Sequence, residues 1–253
     1  MPEGDTVWRS CRRLDEVLAG RVLTRCELRV PQLSTTDLSG VEVLAVVSRG
    51  KHQLFRFGNG WTLHTHFRME GTWRIFPAGR PWSGGQEFQI RAVLATAEHD
   101  AVGYRLPVVE LVPTAEEDGV VGHLGPDLLG PDWDLDEAVR RVSAQPGRSI
   151  GEALLDQRNL AGIGTIWRAE TLFAQRVNPR TPVGEVADLT ALVSKAHELL
   201  LRAIDVETWR EQRWVYNKAG RPCPRCGTRI ACDEYGPTTQ ERLVWWCPRC
   251  QPN

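Results

Sequence analysis

The sequence reads as an α+β chain: an antiparallel β-sandwich or barrel with a helix before it, then a helical half, then short strands around cysteines. Three observations carry that reading. Short β-branched runs broken by turn residues fill positions 21–113. Beyond residue 134 the apolar spacing changes to the helical period. Four of the seven cysteines end the chain as two CxxC pairs.

Residues 5–19 begin the series as a helix. Asp5 is placed to cap it, and Val7, Cys11, Leu14, Val17 and Leu18 recur at helical spacing before Gly20. Strands are expected at 41–47, at 53–57 (turning at Gly58-Asn59-Gly60), at 72–76 and at 88–94. Residues 113–134 hold three prolines, four glycines and the acidic triplet Glu116-Glu117-Asp118, the composition of a linker. Helices are expected at 134–142, 149–157, 165–175 and about 188–206. The domain reading is 1–113 for the sandwich with its helix, 114–133 for the linker, 134–218 for the helical domain and 219–253 for a cysteine finger.

With 42% hydrophobic and 25% charged residues the chain is expected to be globular, not disordered. A net charge of −1, from 31 basic and 32 acidic residues, excludes a protein that coats nucleic acid by bulk charge. The charge is uneven, however. Residues 202–253 carry nine basic and six acidic side chains, and only Lys51, Lys195 and Lys218 among all 31 basic residues are lysine. Arginine suits bidentate phosphate contacts. No run reaches the roughly 18–20 apolar residues of a membrane span, and the acidic start lacks the order of a signal peptide. The expected location is the cytoplasm.

Cys223-Pro-Arg-Cys226 and Cys247-Pro-Arg-Cys250 are two knuckles whose four thiolates complete a tetrahedral zinc shell. No position is left open, so the zinc is expected to be structural. Cys11, Cys26 and Cys232 read as packed thiols. Between the knuckles, residues 239–246 read as a hairpin arm with Arg242 at its turn end, where it either reaches a phosphate or stays in solvent. Further upstream, Gly162 and Gly164 sit in a tight turn before a helix that opens at Thr165. Glycines permit close approach, and a helix start offers N–H groups to a phosphate; an ordinary helix–helix corner has the same pattern.

At the start, removal of Met1 makes Pro2 a secondary amine able to attack an aldehyde-level carbon and form an iminium. Glu3 follows and can move protons at that carbon. Lys51, in Arg49-Gly50-Lys51-His52, lies between two expected strands, where a cation can hold a phosphate or merely cover a turn.

Together these pieces resemble the formamidopyrimidine-DNA glycosylase/endonuclease VIII family. The start Pro2-Glu3-Gly4 is similar to its endonuclease VIII branch, and Arg49-Gly50-Lys51-His52 to its lysine-bearing turn. His66-Phe67-Arg68-Met69-Glu70-Gly71 resembles the loop that fills the gap left by an extruded base, and Leu124-Gly125-Pro126-Asp127 the interdomain segment. Residues 154–173 are similar to the helix–two-turn–helix, and Val215-Tyr216-Asn217-Lys218 with the four cysteines to the zinc-finger end. The likeness runs from the first residue to the last knuckle, in order.

The resemblance implies a monomeric base-excision enzyme that flips a damaged base from DNA lying in a cleft. Its fold is an N-terminal β-sandwich with flanking helices, then a helix–two-turn–helix domain ending in a zinc-finger β-hairpin. Pro2 would be the Schiff-base nucleophile at sugar C1′ and Glu3 the general acid/base. Lys51 and Arg242 would grip phosphates. Met69 would be the wedge, with Arg68 and Glu70 beside it, and Glu170 would support the nucleophile from behind. Gly162, Gly164 and Thr165 would meet the DNA backbone, although Thr165 replaces the usual Asn and has less reach. Thr6 replaces a usual glutamate, and residues 206–215 lack the long Gly/Thr-rich loop of the purine-directed branch. That absence and the Pro-Glu-Gly start imply excision of oxidised pyrimidines followed by β,δ-elimination. The alternatives are a purine-directed enzyme of the same fold and a non-catalytic zinc-finger DNA binder; the Pro2-Glu3 pair argues against the latter.

Overall fold

In the computed structural model residues 2–205, 213–236 and 242–252 are described. Part of the expected arm, Thr239 to Glu241, and most of the 206–215 segment lie outside the described residues. The chain divides into two compact units, residues 1–2 with 6–123, and residues 3–5 with 124–253.

The first unit is a β-sandwich. One antiparallel sheet has the order β1 (Arg21–Val22), β3 (Glu42–Arg49), β4 (His52–Phe57), β5 (Trp61–His66), β9 (Val108–Pro113). The other has the order β2 (Arg25–Leu28), β7 (Ile90–Ala95), β8 (His99–Tyr104), β6 (Thr72–Pro77). Phe55, Phe57 and Leu63 of the first sheet share one buried cluster with Leu28, Leu94 and Ala101 of the second. Helix α1 (Gly4–Leu18) contributes Val7, Cys11, Leu14 and Leu18 to that cluster, one stripe at helical spacing. Burying each leucine contributes about 1.5–3 kcal/mol. Asp15 Oδ1 accepts the Val46 N–H at 2.7 Å and fastens α1 to β3 beside a bulge.

Three local expectations are corrected. Asp5 does not cap α1; it lies inside the first turn, and its Oδ1 accepts the indole N–H of Trp167 at 3.1 Å. The strand expected from 88 begins at Ile90, because Glu87–Gln89 forms a 3₁₀ turn closed by a capping box and leaves Phe88 exposed. The stretch after β9 is also not loose throughout. Thr114–Glu116 is a 3₁₀ turn and α2 (Glu117–Val121) follows, with Glu117 accepting 2.8 and 2.7 Å bonds from Arg56 and a 2.6 Å bond from Thr62.

The second unit is helical. Asp134 caps α3 (Leu135–Ser143) through the Glu137 N–H at 3.0 Å. Ser149 caps α4 (Ile150–Leu155) through the Glu152 N–H at 3.3 Å. Then come α5 (Thr165–Ala174) and α6 (Leu189–Asp205). Leu192, Val193, Ala196, Leu199, Leu200 and Ala203 form the buried stripe of α6 against Ile163, Ile166 and Trp167. The unit ends in the antiparallel hairpin β10 (Ala231–Tyr235) and β11 (Arg242–Trp246), with Tyr235 opposite Arg242. Ala169 and Phe173 of α5 pack with Val215, Ile230, Trp245 and Cys247 in one cluster. Among the described residues no helix is long and apolar enough to cross a membrane.

Candidate active site and metal centre

Glu3 is fully buried. Its Oε1 accepts the Ile166 N–H at 2.7 Å, and its Oε2 accepts those of Gly164 at 3.0 Å and Trp167 at 3.2 Å. The carboxylate thus serves as the cap that α5 lacks in its own sequence, since Gly164 offers no side chain. An acid is well matched to this end of a helix, where unpaired N–H groups and the macrodipole both favour negative charge. A Cβ on Gly164 would lie 2.5 Å from the Glu3 Cδ, so the glycine is what lets the carboxylate in. Gly4 completes the docking: its N–H donates to the Gly162 carbonyl at 2.8 Å, and a Cβ on Gly4 would sit 2.9 Å from the Gly162 Cα.

Gly162, Gly164 and Thr165 are all buried; the Gly164 N–H is taken by Glu3, and the Gly162 N–H donates to Gln157 Oε1 at 3.1 Å. The close partner of the turn is the start of the chain itself. Pro2, immediately before this anchor, is half-buried.

Glu170 is held in a similar way. It is fully buried, and its oxygens accept N–H bonds from Trp214 at 2.7 Å, Val215 at 3.1 Å and Tyr216 at 2.8 Å. Burial pushes its carboxyl up from the usual range, against these three bonds. The carboxylate is committed to the backbone that leads into the cysteine finger, a structural buckle.

In the first unit Lys51 sits in the two-residue turn Gly50-Lys51 between paired Arg49 and His52. Arg68, Met69 and Glu70 form the exposed tip of a turn closed by the Gly71 N–H on the Phe67 carbonyl at 2.9 Å. Phe67 is buried, and a Cβ on Gly71 would lie 2.8 Å from its Cα, so the base of this loop is tightly closed. Met69 at the tip is 61% exposed, a large apolar side chain held in solvent. The Arg68 N–H donates to His66 Nδ1 at 2.8 Å, with Arg68 at φ +48°.

The residue reading missed a histidine cluster beneath these two turns. His52 Nδ1 is 2.9 Å from His64 Nε2, and His64 Nδ1 is 3.0 Å from Glu110 Oε2. His66 and His123 meet the His52 ring edge-on, with centroids 4.9 and 6.2 Å away. Burial, with His66, His64, His123 and Arg68 nearby, brings His52 down to about 3. Burial and the charges of Arg68 and Lys51, with His64, bring His66 down to about 4. The available signal was period two: His64 and His66 alternate along β5, and His52 pairs with His66 across the hairpin.

Arg242, at the turn end of β11, is exposed and lines a cavity of about 310 Å³ with Arg148, Arg158, Arg168, Glu152 and Asp156. Arg168, also missed, is 1% exposed. A polar residue on a helix flanked by apolar neighbours was the only hint.

Cys223, Cys226, Cys247 and Cys250 bring four Sγ atoms within 4.8 Å of one another, with Cys223–Cys250 at 3.9 Å and Cys226–Cys247 at 3.5 Å. Sulfurs of a tetrahedral site with metal–sulfur bonds of about 2.3 Å stand about 3.8 Å apart, so the donor set fits such an ion. The Arg225 N–H on Cys223 Sγ and the Cys250 N–H on Cys247 Sγ, both 3.4 Å, support the two knuckles. Cys11 and Cys26 are buried in the sandwich, and Cys232 packs beside the finger.

Residues 1–105 match the model of the formamidopyrimidine-DNA glycosylase N-terminal domain, and residues 124–212 that of the formamidopyrimidine-DNA glycosylase H2TH domain. A probable endonuclease 8 2 of Streptomyces coelicolor is 51% identical, covering 99% of this chain and 94% of that one. The DNA-(apurinic or apyrimidinic site) lyase Nei2 of Mycolicibacterium smegmatis is 41% identical, covering 99% of each. A Lactococcus lactis Fpg (MutM) crystallised with DNA containing N7-benzyl-Fapy-dG shares the fold at a TM-score of 0.85 and 23% identity, over 100% of both chains. The same fold is seen in a complex of that enzyme with DNA containing an abasic site, at 0.85 and 22% over 99% of this chain and 100% of that chain. On this evidence the chain belongs to the formamidopyrimidine-DNA glycosylase/endonuclease VIII family.

Proposed function

We propose that this chain is a bifunctional DNA glycosylase and abasic-site lyase that excises oxidised pyrimidines. The observation that carries the reading is the burial of Glu3 on the start of α5, directly after Pro2. An acid locked by three backbone donors fixes the residue next to the nucleophile, and such pre-organisation is what a covalent mechanism needs.

After loss of Met1 the Pro2 nitrogen attacks C1′. The C1′–base bond breaks, and the base leaves with the electron pair and takes a proton. The nitrogen then loses its proton and its lone pair expels O4′, which is protonated as the sugar ring opens and leaves the C1′ iminium. The iminium acidifies the C2′ hydrogens; loss of one expels the 3′-phosphate, and loss of the C4′ proton in a second elimination expels the 5′-phosphate. Glu3 serves as the proton carrier. Lys51 and Arg242 hold phosphates, and Met69 with Arg68 and Glu70 fills the emptied stack. Damage that weakens stacking lowers the cost of flipping the base. The Thr165 hydroxyl is the proposed DNA-backbone contact of this turn, since the Gly164 N–H is taken by Glu3 and that of Gly162 by Gln157.

The metal is read as one zinc ion, held by Cys223, Cys226, Cys247 and Cys250 in a structural role. Metal analysis of purified protein should give one zinc per chain. The functional test is borohydride trapping on DNA with an abasic site. A covalent adduct is expected, and it should vanish in Pro2→Ala and when Met1 is retained. No adduct from correctly processed protein removes the lyase. Paired kinetics on thymine glycol and 8-oxoguanine duplexes test the base preference, and faster 8-oxoguanine release overturns it. The enzyme is expected to act as a monomer on damaged DNA in the cytoplasm.

A further inference from the structure

Arg168 is a costly residue to keep where it stands. It projects from α5, is 1% exposed, and burial brings its guanidinium down to about 10. Among the described residues one direct partner holds it: Nη2 donates to the Leu243 carbonyl at 2.7 Å. Its Nε is buried without a hydrogen-bond partner. Among the described residues no carboxylate pairs with it directly; Glu3 and Glu152 act on it at longer range, and Arg242 opposes its charge. A well-packed apolar side chain of similar volume would ordinarily serve the fold as well or better. A buried donor left unmade also calls for a reason other than stability.

The partner it does have is informative. Leu243 follows Arg242 at the turn end of β11, where the ladder closes with Tyr235 opposite Arg242. Arg168 stands one residue after Trp167, whose N–H holds Glu3, and two before Glu170, which holds the 214–216 backbone. A single helical turn of α5 therefore ties down the chain start, the approach to the finger and the hairpin end that carries Arg242. Arg168 and Arg242 also line the same cavity.

We propose that Arg168 is a positioning residue for Arg242. Its bond to the Leu243 carbonyl sets where the hairpin end, and so the exposed guanidinium, stands relative to α5. This rests on the reading of Arg242 as a phosphate contact. Truncating Arg168 frees the hairpin end, and Arg242 then loses its phosphate even though it is chemically intact.

The test is the salt dependence of binding to a duplex carrying a tetrahydrofuran abasic analogue, which the enzyme binds without turnover. Each phosphate contact contributes about one unit to the slope of log K against log salt. Arg242→Ala should lower the slope by about one. Arg168→Leu should lower it by the same amount, and the double variant should go no lower than Arg242→Ala alone. A wild-type slope in folded, zinc-loaded Arg168→Leu overturns the proposal, as does an additive loss in the double variant. An unchanged slope in Arg242→Ala instead removes the phosphate reading, and the inference falls with it. If Arg168→Leu loses its zinc or its thermal transition, Arg168→Gln is read by the same outcomes.

Discussion

Truncating Glu170 tests how the finger is attached to the helical unit. Its carboxylate accepts three backbone N–H bonds, of which that from Val215 is buried and those from Trp214 and Tyr216 are partly buried. Glu170→Ala leaves all three without an acceptor. The buried donor costs about 1–3 kcal/mol, and the two that water can reach cost less. With the small cavity added, the expected loss is about 3–4 kcal/mol. Glu170→Gln should cost clearly less, about 1–2 kcal/mol. Its amide oxygen can take the place of Oε1 and keep Val215 and Tyr216, so that only the partly wetted Trp214 donor meets the NH₂ group. Urea unfolding at saturating zinc measures both variants. A loss below about 1 kcal/mol in Glu170→Ala, or equal losses in the two, would refute the buckle.

Four further outcomes are expected. Stability should be flat above about pH 7 and fall as pH drops from about 6.5 towards 4, since His52 and His66 sit below their unfolded value near 6.5 and the unfolded chain binds the protons first; urea midpoints at pH 8, 6 and 5 read this, and a constant midpoint contradicts it. Gly164→Ala should abolish trapping, because its Cβ displaces the Glu3 carboxylate; normal trapping would sink the docking argument. Met69→Ala should shift stability by no more than about 0.5 kcal/mol, as an exposed side chain does, while slowing excision from duplex DNA; unchanged excision rules out the wedge. Cys226→Ser should lose the bound metal and loosen the hairpin, read by metal content and proteolysis of the finger.

What the sequence made legible was local. Asp134 and Ser149 each cap a helix that starts one residue later, and the two Cys-Pro-Arg-Cys knuckles carry their ligand geometry in four residues. The helix at Thr165 was legible as an element, but its cap was not, because Glu3 lies 161 positions before Gly164. A pattern search sees glycines and a helix start and supplies the commonest anion, a phosphate; the fold supplies a carboxylate of its own. The histidine cluster needed the register of β4 on β5, and Arg168 needed the hairpin that buries it. The roles of Lys51 and Met69 came from the resemblance and not from their own spacing; in the structure each stands in a turn.

The docking of residues 3–5 has a consequence for how the molecule is made. Synthesis runs from Met1 onward, yet the surface that receives Glu3 and Gly4 is built from residues 162–167. Because domains form as they leave the ribosome, the sandwich is complete through residue 123 before the receptor for its own leading end exists. During that interval the first residues have nowhere to dock, and enzymes that trim the initiator methionine can reach them. Once α5 forms, Glu3 has the backbone donors that hold it.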